Sequence, residues 1–337
     1  MKGKIRFFGL VLVLALVAVV LVISAPSWAQ KGKPTKPPIP PPTPADPAIA
    51  YTVLSGSPDH KDLMVMNADG SNKLALVAQQ GVHNTRPDWS PDGKQLVFTD
   101  NALGGTAINI INRDGTGQKR ILMFNSSWGP AAWSPMRLRD GQFKIAYIDH
   151  APIPGGTFRE DNDLFLVNLD GSGVQQLTNT PDVNECVFGG SFAWSFDAQY
   201  IAVAMYDHVL IYRVDWDGLK FTAASVGSIL TELGIEIMEL DWANTQYKLA
   251  VCGGWYDLWT VDPFNPASVI RLTNTPNIYE RTPSWSPDDS RIVFANGPGP
   301  SNYGGIWVMN SDGTGATEIV PPARRAHQEN PQWRRNQ

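Results

Sequence analysis

Short apolar strands, each ended by a turn signal, recur along most of the chain. The two clearest examples are Arg86 to Phe98 and Thr282 to Phe294, where Trp-Ser-Pro-Asp is followed by a run of β-branched and aromatic residues. Pro fixes φ at the second turn position, Asp tolerates the next position, and Gly93 can adopt the left-handed conformation that closes a bulged hairpin. The pattern predicts a strand that ends at Trp, a tight turn and a returning strand.

This unit is found six times. Its reference Trp recurs at spacings of 44, 61, 48, 43 and 48 residues. These residues are Trp89, Trp133, Trp194, Trp242, Trp285 and Trp333. Each unit also has an apolar strand that ends in Asp-Gly or, once, Asp-Pro, and Asp-Gly between apolar strands is a strong hairpin signal. The six copies are Leu63–Gly70, Ile108–Gly115, Leu164–Gly171, Leu210–Gly218, Leu258–Pro263 and Ile306–Gly313. One repeat over this length indicates a single ring rather than separate domains.

Each unit predicts four antiparallel strands, termed A to D in the order Trp strand, returning strand, Asp-Gly strand and last strand. Four-stranded sheets repeated radially form a β-propeller, which removes free sheet edges by closing on itself. The first unit begins at strand B (Ala50–Leu54) with no Trp before it. We therefore predict an all-β, six-bladed β-propeller of four-stranded antiparallel blades over residues 48–337. A C-terminal strand, Glu329–Arg334, is predicted to close the ring by joining the N-terminal blade, and the Trp residues to pack between blades.

These motifs resemble the TolB-type propeller repeat. The Trp-Ser-Pro-Asp-Gly turn, the Asn-x-Asp-Gly turn and two Leu-Thr-Asn-Thr-Pro runs (Leu177–Pro181 and Leu272–Pro276) carry the resemblance, which extends from Ala48 to Trp333. It implies the fold and says little about activity, because propellers have many functions. Ahead of the repeats, this chain has a proline-rich segment where that family has a folded domain. The WD40 repeat is the nearest alternative, but its Gly-His and Trp-Asp pairs are missing at matching positions.

The start of the chain predicts export. A basic end (Lys2 to Arg6) precedes an uncharged apolar run, residues 7–24, and a small-x-small cleavage site ends at Ala29, so residues 1–29 form a predicted signal peptide. The apolar run is also long enough for an uncleaved membrane anchor. Either outcome places the bulk of the chain in the periplasm or outside the cell.

Residues 30–47 are dense in Pro, which predicts an extended linker between the leader and the ring. A role as a polyproline ligand is the alternative for this segment. Over the whole chain, 43% hydrophobic residues with 30 Gly and 27 Pro suit an all-β globular protein with many turns. The net charge of −5, which becomes more negative if the basic leader is removed, argues against a nucleic-acid partner.

The candidate binding surface is the face that carries the B–C and D–A loops, because these loops vary in length whereas the A–B and C–D turns are short. The longest predicted loops are Asp149–Asn162, Asn179–Gly190, Ala223–Ile237 and Asn296–Gly304. Polar residues just before each Trp, and at the end of strand B, are predicted to surround the mouth of the central channel. The predicted site consists of His83, Arg86, Asp100, Asp149, His150, Asp207, His208, Glu280, Arg281, Asn296, His327 and Glu329.

Two functional hypotheses follow from this surface. The first is an exported, non-enzymatic and monomeric propeller that binds a protein or peptide of the cell envelope without a cofactor. The second is a metal-assisted lyase or hydrolase acting on a glycan, because all five His residues map to the long-loop face and converging His side chains can bind a transition metal. None of the His residues has local metal-ligand spacing, and Ser191 lacks the flanking Gly pattern of a nucleophile elbow, so we predict no metal and no catalytic residue.

The chain has two cysteines, Cys186 and Cys252. Both are predicted to lie at the long-loop face of neighbouring blades, and an exported chain can keep a disulfide. The sequence leaves a Cys186–Cys252 bridge and two separate thiols as alternatives.

Overall fold

Six four-stranded antiparallel sheets form a ring in the computed structural model, which describes residues 48–55, 60–101, 105–124, 129–150, 162–179, 191–205, 207–230, 236–254, 256–299, 304–322 and 326–335. This confirms the predicted six-bladed propeller. The predicted signal peptide and linker lie outside these residues and stay predictions. No helix within the described ranges is long and apolar enough to cross a membrane.

The strands are short and follow the repeat in chain order. They are β1 (Ile49–Ser55), β2 (His60–Met66), β3 (Leu74–Val77), β4 (Thr85–Trp89), β5 (Gln95–Asp100), β6 (Thr106–Asn112), β7 (Lys119–Phe124), β8 (Ala131–Trp133), β9 (Lys144–His150), β10 (Asn162–Asn168), β11 (Gln175–Gln176), β12 (Phe192–Trp194), β13 (Tyr200–Ala204), β14 (Val209–Trp216), β15 (Phe221–Ile229), β16 (Ile237–Trp242), β17 (Leu249–Gly253), β18 (Asp257–Asp262), β19 (Asn265–Arg271), β20 (Tyr279–Trp285), β21 (Arg291–Gly297), β22 (Gly305–Asn310), β23 (Thr317–Val320) and β24 (Ala326–Trp333).

Ring closure follows from the pairing of β1 with β24. Blade 1 has the order β24-β1-β2-β3, and the other five blades use four consecutive strands each. The pairing extends from Ile49 opposite Trp333 to Ser55 opposite Ala326. The last strand therefore supplies the innermost strand of the first blade, as predicted.

One Trp packs at each interface between neighbouring blades. Trp89 lies with Leu63 and Val65 of blade 1 and with Leu96 and Phe98 of blade 2 in one buried cluster. The five other interfaces each bury their own Trp in the same way. All six Trp residues are at most 3% exposed. Removing such a side chain typically costs 3–5 kcal/mol, so each interface depends on its Trp.

The Ser and Asp of the A–B turn brace the turn itself. Ser90 Oγ donates to Asp92 Oδ1 (2.8 Å) and accepts the N–H of Gln95 (2.9 Å), while the N–H of Lys94 donates to Asp92 (3.1 Å). Gly93 adopts φ +63°, the left-handed conformation that the motif predicts. The motif thus forms a local hydrogen-bond network, which explains why Ser and Asp accompany the Trp.

Strand β15 extends through a segment that the sequence predicted as a loop. Residues 223–229 pair with β14, although Ala223–Ile237 was expected to be loop. Strand D is the outermost strand of a blade, so its side chains largely face solvent and need no apolar alternation. The small residues of Ala223–Ser228 therefore give no sequence signal for a strand, and the strand is recognised from its backbone pairing with β14.

Glycines in two C–D turns differ in how closely they approach the neighbouring blade. Gly70 (φ +79°) and Gly115 (φ +85°) occupy the same turn position, but a Cβ at Gly70 would lie 2.1 Å from the carbonyl oxygen of Ile319 in blade 6, against 3.6 Å from that of Leu76 at Gly115. Gly115→Ala should cost about 1–2 kcal/mol through left-handed strain alone. Gly70→Ala should cost more, because it must also separate blades 6 and 1. Urea unfolding of both variants checks this, and equal losses would contradict the close contact.

Candidate functional site

The inner strands β4, β8, β12, β16, β20 and β24 line a central cavity of about 610 Å³, part of it open to solvent. Its polar lining comes from positions one and three residues before the Trp of five blades, because alternate residues of a strand share a face. These residues are Arg86, Asp88, Ser191, Glu239, Asp241, Thr282, Asn330 and Gln332, and Arg335 joins them from beyond β24.

Three of these channel residues have a strained backbone. Arg86 (φ +47°), Thr282 (φ +47°) and Asn330 (φ +51°) are left-handed, and each lies three residues before a Trp and directly before a Pro. The pairing register of blades 2, 6 and 1 shifts at these positions. A left-handed non-glycine residue costs about 1–3 kcal/mol, and such residues concentrate at functional sites. The channel therefore holds strain at the same level in three blades.

Charged groups meet next to this strained level. Burial lowers the pKa of Arg86, and the carboxylates of Glu239 and Glu329 act in the opposite direction. Glu329 accepts from Lys61 Nζ at 2.6 Å, and Glu239 Oε2 accepts the N–H of Thr282 at 2.7 Å. Groups from blades 1, 2, 5 and 6 thus form one mixed-charge network around the channel.

Side chains at the position before the Trp connect neighbouring blades. Asp88 Oδ2 accepts the N–H of Trp133 (2.8 Å), and Asp241 Oδ2 accepts the N–H of Trp285 (2.9 Å). Ser284 Oγ accepts the N–H of Trp333 at 3.0 Å in the same way. Adjacent inner strands share no ladder, so these bonds satisfy backbone donors that would otherwise be buried without partners.

The two aspartates are buried in opposite blades and share one cation. Each is 6% exposed. Burial raises the pKa of Asp241 to about 6 and raises that of Asp88, while the Arg335 guanidinium lowers both. Among the described residues, Asp88 Oδ1 has no hydrogen-bond partner. A buried carboxylate oxygen without a partner is costly, so this end of the channel is able to accept a hydrogen-bond donor.

Glu280 braces the loop between blades 5 and 6. It is 1% exposed and accepts from the hydroxyls of Thr275 and, at 3.4 Å, of Thr273. Burial raises its pKa to about 7, although the bond from Thr275 acts in the opposite direction. The neighbouring carboxylate of Asp257 accepts from Arg271 and Thr273. Glu280 therefore holds a loop at the predicted face, to one side of the cavity lining.

The two Leu-Thr-Asn-Thr-Pro runs each use their first Thr in structural hydrogen bonds. Thr273 Oγ1 accepts the N–H of Leu258 (2.9 Å), and Thr178 Oγ1 accepts the N–H of Leu164 (2.9 Å) and donates to Asp163 (2.8 Å). The first Thr of each run thus fixes the start of strand C to the loop that follows strand D.

Other predicted residues lie near Glu280 or form local pairs. Arg281 stacks on the rings of Tyr256 (4.6 Å) and Tyr279 (5.6 Å), and Asn296 pairs with Glu280 across the strands. Two such residues bond to each other, since His208 Nδ1 lies 2.5 Å from an oxygen of Asp207.

The remaining predicted residues contact their own or adjacent strands. Asp100 is 5% exposed and accepts from Asn109 (2.8 Å) within blade 2, and the backbone N–H of His83 donates to Asn101 (2.8 Å). Asp149 and His327 lie in β9 and β24, where their Cα partners are Asp163 and Leu54. The side chain of His150 is outside the described part of the structure. Of the twelve predicted residues, Arg86 lines the cavity, and Glu329 joins its charge network.

The described residues include one of the two cysteines and most of the predicted metal-binding side chains. Cys252 is buried, and its Sγ donates to the carbonyl of Glu280 at 3.0 Å, whereas Cys186 lies outside the described residues, so the bridge stays a prediction. In the described ranges, no group of three or more His, Cys, Asp or Glu side chains is placed to hold a metal ion.

Sequence reasoning missed Asp88, Glu239, Asp241 and Arg335. The signal was available for three of them, because they occupy the same positions relative to a Trp as their counterparts in other blades. The position of Arg335 depends on how the chain continues after β24, which no repeat predicts.

Protonation of Asp241 should make stability depend on pH. The folded state holds this proton more tightly than the unfolded state. Protonation of Asp241 therefore adds its full share to the free energy of unfolding below pH 4, and this share is lost as the pH rises through about 6. At ~1.4 kcal/mol per pKa unit, about 1–2 kcal/mol of the loss should fall between pH 5 and 8. Asp241→Asn should flatten the urea-unfolding free energy over that range by this amount.

Asp217→Asn is the matched control, because hydrogen bonds from the N–H groups of Lys220 and Leu219 lower the pKa of Asp217 and place its titration below that range. An unchanged pH profile in Asp241→Asn would show that this carboxyl is ionised throughout.

The comparisons with known proteins agree with the fold. No protein-family model matches the chain. Tol-Pal system protein TolB of Anaeromyxobacter dehalogenans is 33% identical over 125 residues, 36% of this chain and 25% of that protein. An uncharacterized protein of Agrobacterium fabrum is 27% identical over 154 residues, 43% of this chain and 47% of that protein. The matched segments thus span less than half of either relative.

A solved structure extends the similarity to nearly the whole ring. The crystal structure of TolB from Acinetobacter baumannii superposes with a TM-score of 0.62 at 19% identity and covers 86% of this chain and 68% of that one. At this identity the comparison concerns the fold. With the repeat motifs and the closure by β24, it shows that the chain is a TolB-like six-bladed β-propeller.

Proposed function

We propose that this protein is an exported, non-enzymatic propeller that binds a protein or peptide partner of the cell envelope through its long-loop face and channel mouth. The observation that carries the proposal is the strained level formed by Arg86, Thr282 and Asn330 in three blades, with charged groups beside it. Strain that a fold could avoid with Gly persists where the surroundings or the function require it.

The chemistry of the channel suits an extended polypeptide. A peptide supplies both N–H donors and C=O acceptors, and the channel has buried carboxylates together with the guanidinium groups of Arg86 and Arg335. The partner class is supported by the name of the relatives, Tol-Pal system protein, and the exported location by the predicted leader.

Site-specific photo-crosslinking tests this proposal. A benzophenone amino acid at His83, which the sequence predicts to lie at the mouth, should form a discrete adduct with an envelope protein in extract of the source organism. The same group at Leu219, which is 90% exposed in a C–D turn, is the matched control and should not form that adduct. The same adduct from both positions, or none from His83, would contradict the assignment.

The strained backbone gives a second, independent test. Thr282→Gly removes a β-branched side chain from a left-handed position, so the free energy of unfolding should stay equal to or exceed that of the parent protein by up to about 1 kcal/mol. The yield of the His83 adduct should nevertheless fall severalfold, because the channel wall becomes less ordered. If the variant is less stable than the parent protein and still gives the full adduct yield, the strained backbone serves folding alone.

A further inference from the structure

An aromatic patch lies on the turn face, opposite the long loops. Tyr247 is at its centre, with ring centroids 5.2 Å from Phe196, 5.1 Å from Phe264 and 5.9 Å from Tyr200. Phe264 also contacts Tyr200 at 5.0 Å and is 48% exposed. These four residues, here termed the aromatic patch, belong to the A–B and C–D turns and adjoining strands of blades 4 and 5.

The patch is made by departures from the repeat. Phe196 occupies the turn position that is Pro in Pro91 and Pro135, and Asp262-Pro263-Phe264 replaces the usual Asp-Gly turn. Aromatic side chains are large apolar groups, and the repeat shows that these turns form without them. Tyr200 and Tyr247 also pack against the buried cluster around Trp242, and Phe264 is the exposed member. Together they form an aromatic surface that the repeat itself does not require.

A pocket continues the patch toward the ring axis. It comprises about 390 Å³, part of it open to solvent, and Phe196 belongs to both the pocket and the patch. Pro91, Pro135 and Trp242 form apolar walls, and Arg335 lies at its inner end. A slot walled by proline and tryptophan beside tilted aromatic rings suits a compact ring such as the pyrrolidine of proline.

The negative net charge of the ring favours a basic ligand. Residues 48–337 carry 21 Lys and Arg against 31 Asp and Glu, a net charge of −10. Within the patch, Tyr247 Oη donates to Asp197 Oδ2 at 2.6 Å, and Asp262 accepts the N–H of Phe264 at 2.8 Å, so carboxylates border the patch. An acidic surface of this kind attracts a cationic strand.

Aromatic grooves with acidic borders recognise polyproline II strands, which are extended before binding and so lose little conformational entropy. We propose that the aromatic patch and its pocket bind a cationic proline-rich polypeptide. The site lies on the face opposite the channel mouth and goes beyond the function proposed above, although Arg335 lines both its pocket and the channel. The sequence itself contains one polypeptide with this chemistry, Lys31–Pro47, which has eight Pro and three Lys.

A labelled synthetic peptide with the sequence of Lys31–Pro47 is the probe, and fluorescence anisotropy measures its binding to the full chain. In that chain, Pro37, Pro38, Pro40 and Pro41 are replaced by Ser so that its own prolines do not compete with the probe. We expect saturable binding. Phe264→Ser should weaken it at least about tenfold, because an exposed aromatic anchor is lost.

Leu219→Ser is the matched control, since Leu219 is an exposed apolar residue of another C–D turn and should leave the affinity unchanged. Thermal unfolding of both variants verifies the fold. A second probe with every Pro replaced by Ser keeps the charge and should bind at least tenfold more weakly. Equal binding of the two probes would reduce the contact to electrostatic attraction, and an unaffected Phe264→Ser variant would place the site elsewhere; either result overturns the proposal.

Discussion

The ring depends on one contact made six times, the packing of a Trp at the end of each inner strand against the neighbouring blade. A four-stranded sheet of this size buries too little apolar surface to be stable alone, so each blade depends on its two neighbours. At the junction of blades 6 and 1, Trp333 packs with Val293 and Ile49, and the pairing of β24 with β1 adds a hydrogen-bonded ladder to the same junction. The ring is therefore closed by both kinds of interaction at the point where the repeat begins.

Local chemistry explains why most of the fold was predictable. Ser90, Asp92 and Gly93 determine their turn through contacts within five residues, so the motif alone predicts the hairpin. Strand β15 was missed because its pairing is backbone-only and leaves no apolar pattern in the sequence. The candidate site was harder to predict, because Glu239 meets Arg86 only after blades 2 and 5 have been arranged around one axis. A side chain such as Asp100 looks equally available in the sequence, yet it bonds inside its own blade.

The two faces of the ring have different chemistry. The channel combines left-handed backbone with charged groups from several blades, whereas the turn face carries an aromatic cluster in blades 4 and 5. Buried Asp88 and Asp241 lie between these two surfaces and bond to Trp133 and Trp285. A ligand that changes the charge in the channel therefore acts on groups that also hold blade interfaces together.

Pairing between β1 and β24 also affects how the molecule folds. Its partners are up to 284 residues apart, as in Ile49 and Trp333. Contacts this distant form late, because loop-closure entropy opposes them until the intervening blades are compact. Until Ala326–Trp333 is in place, β1 is an open sheet edge that can pair with another molecule. The last strand of the ring thus protects the first from aggregation, and blade 1 completes its folding only after the other five.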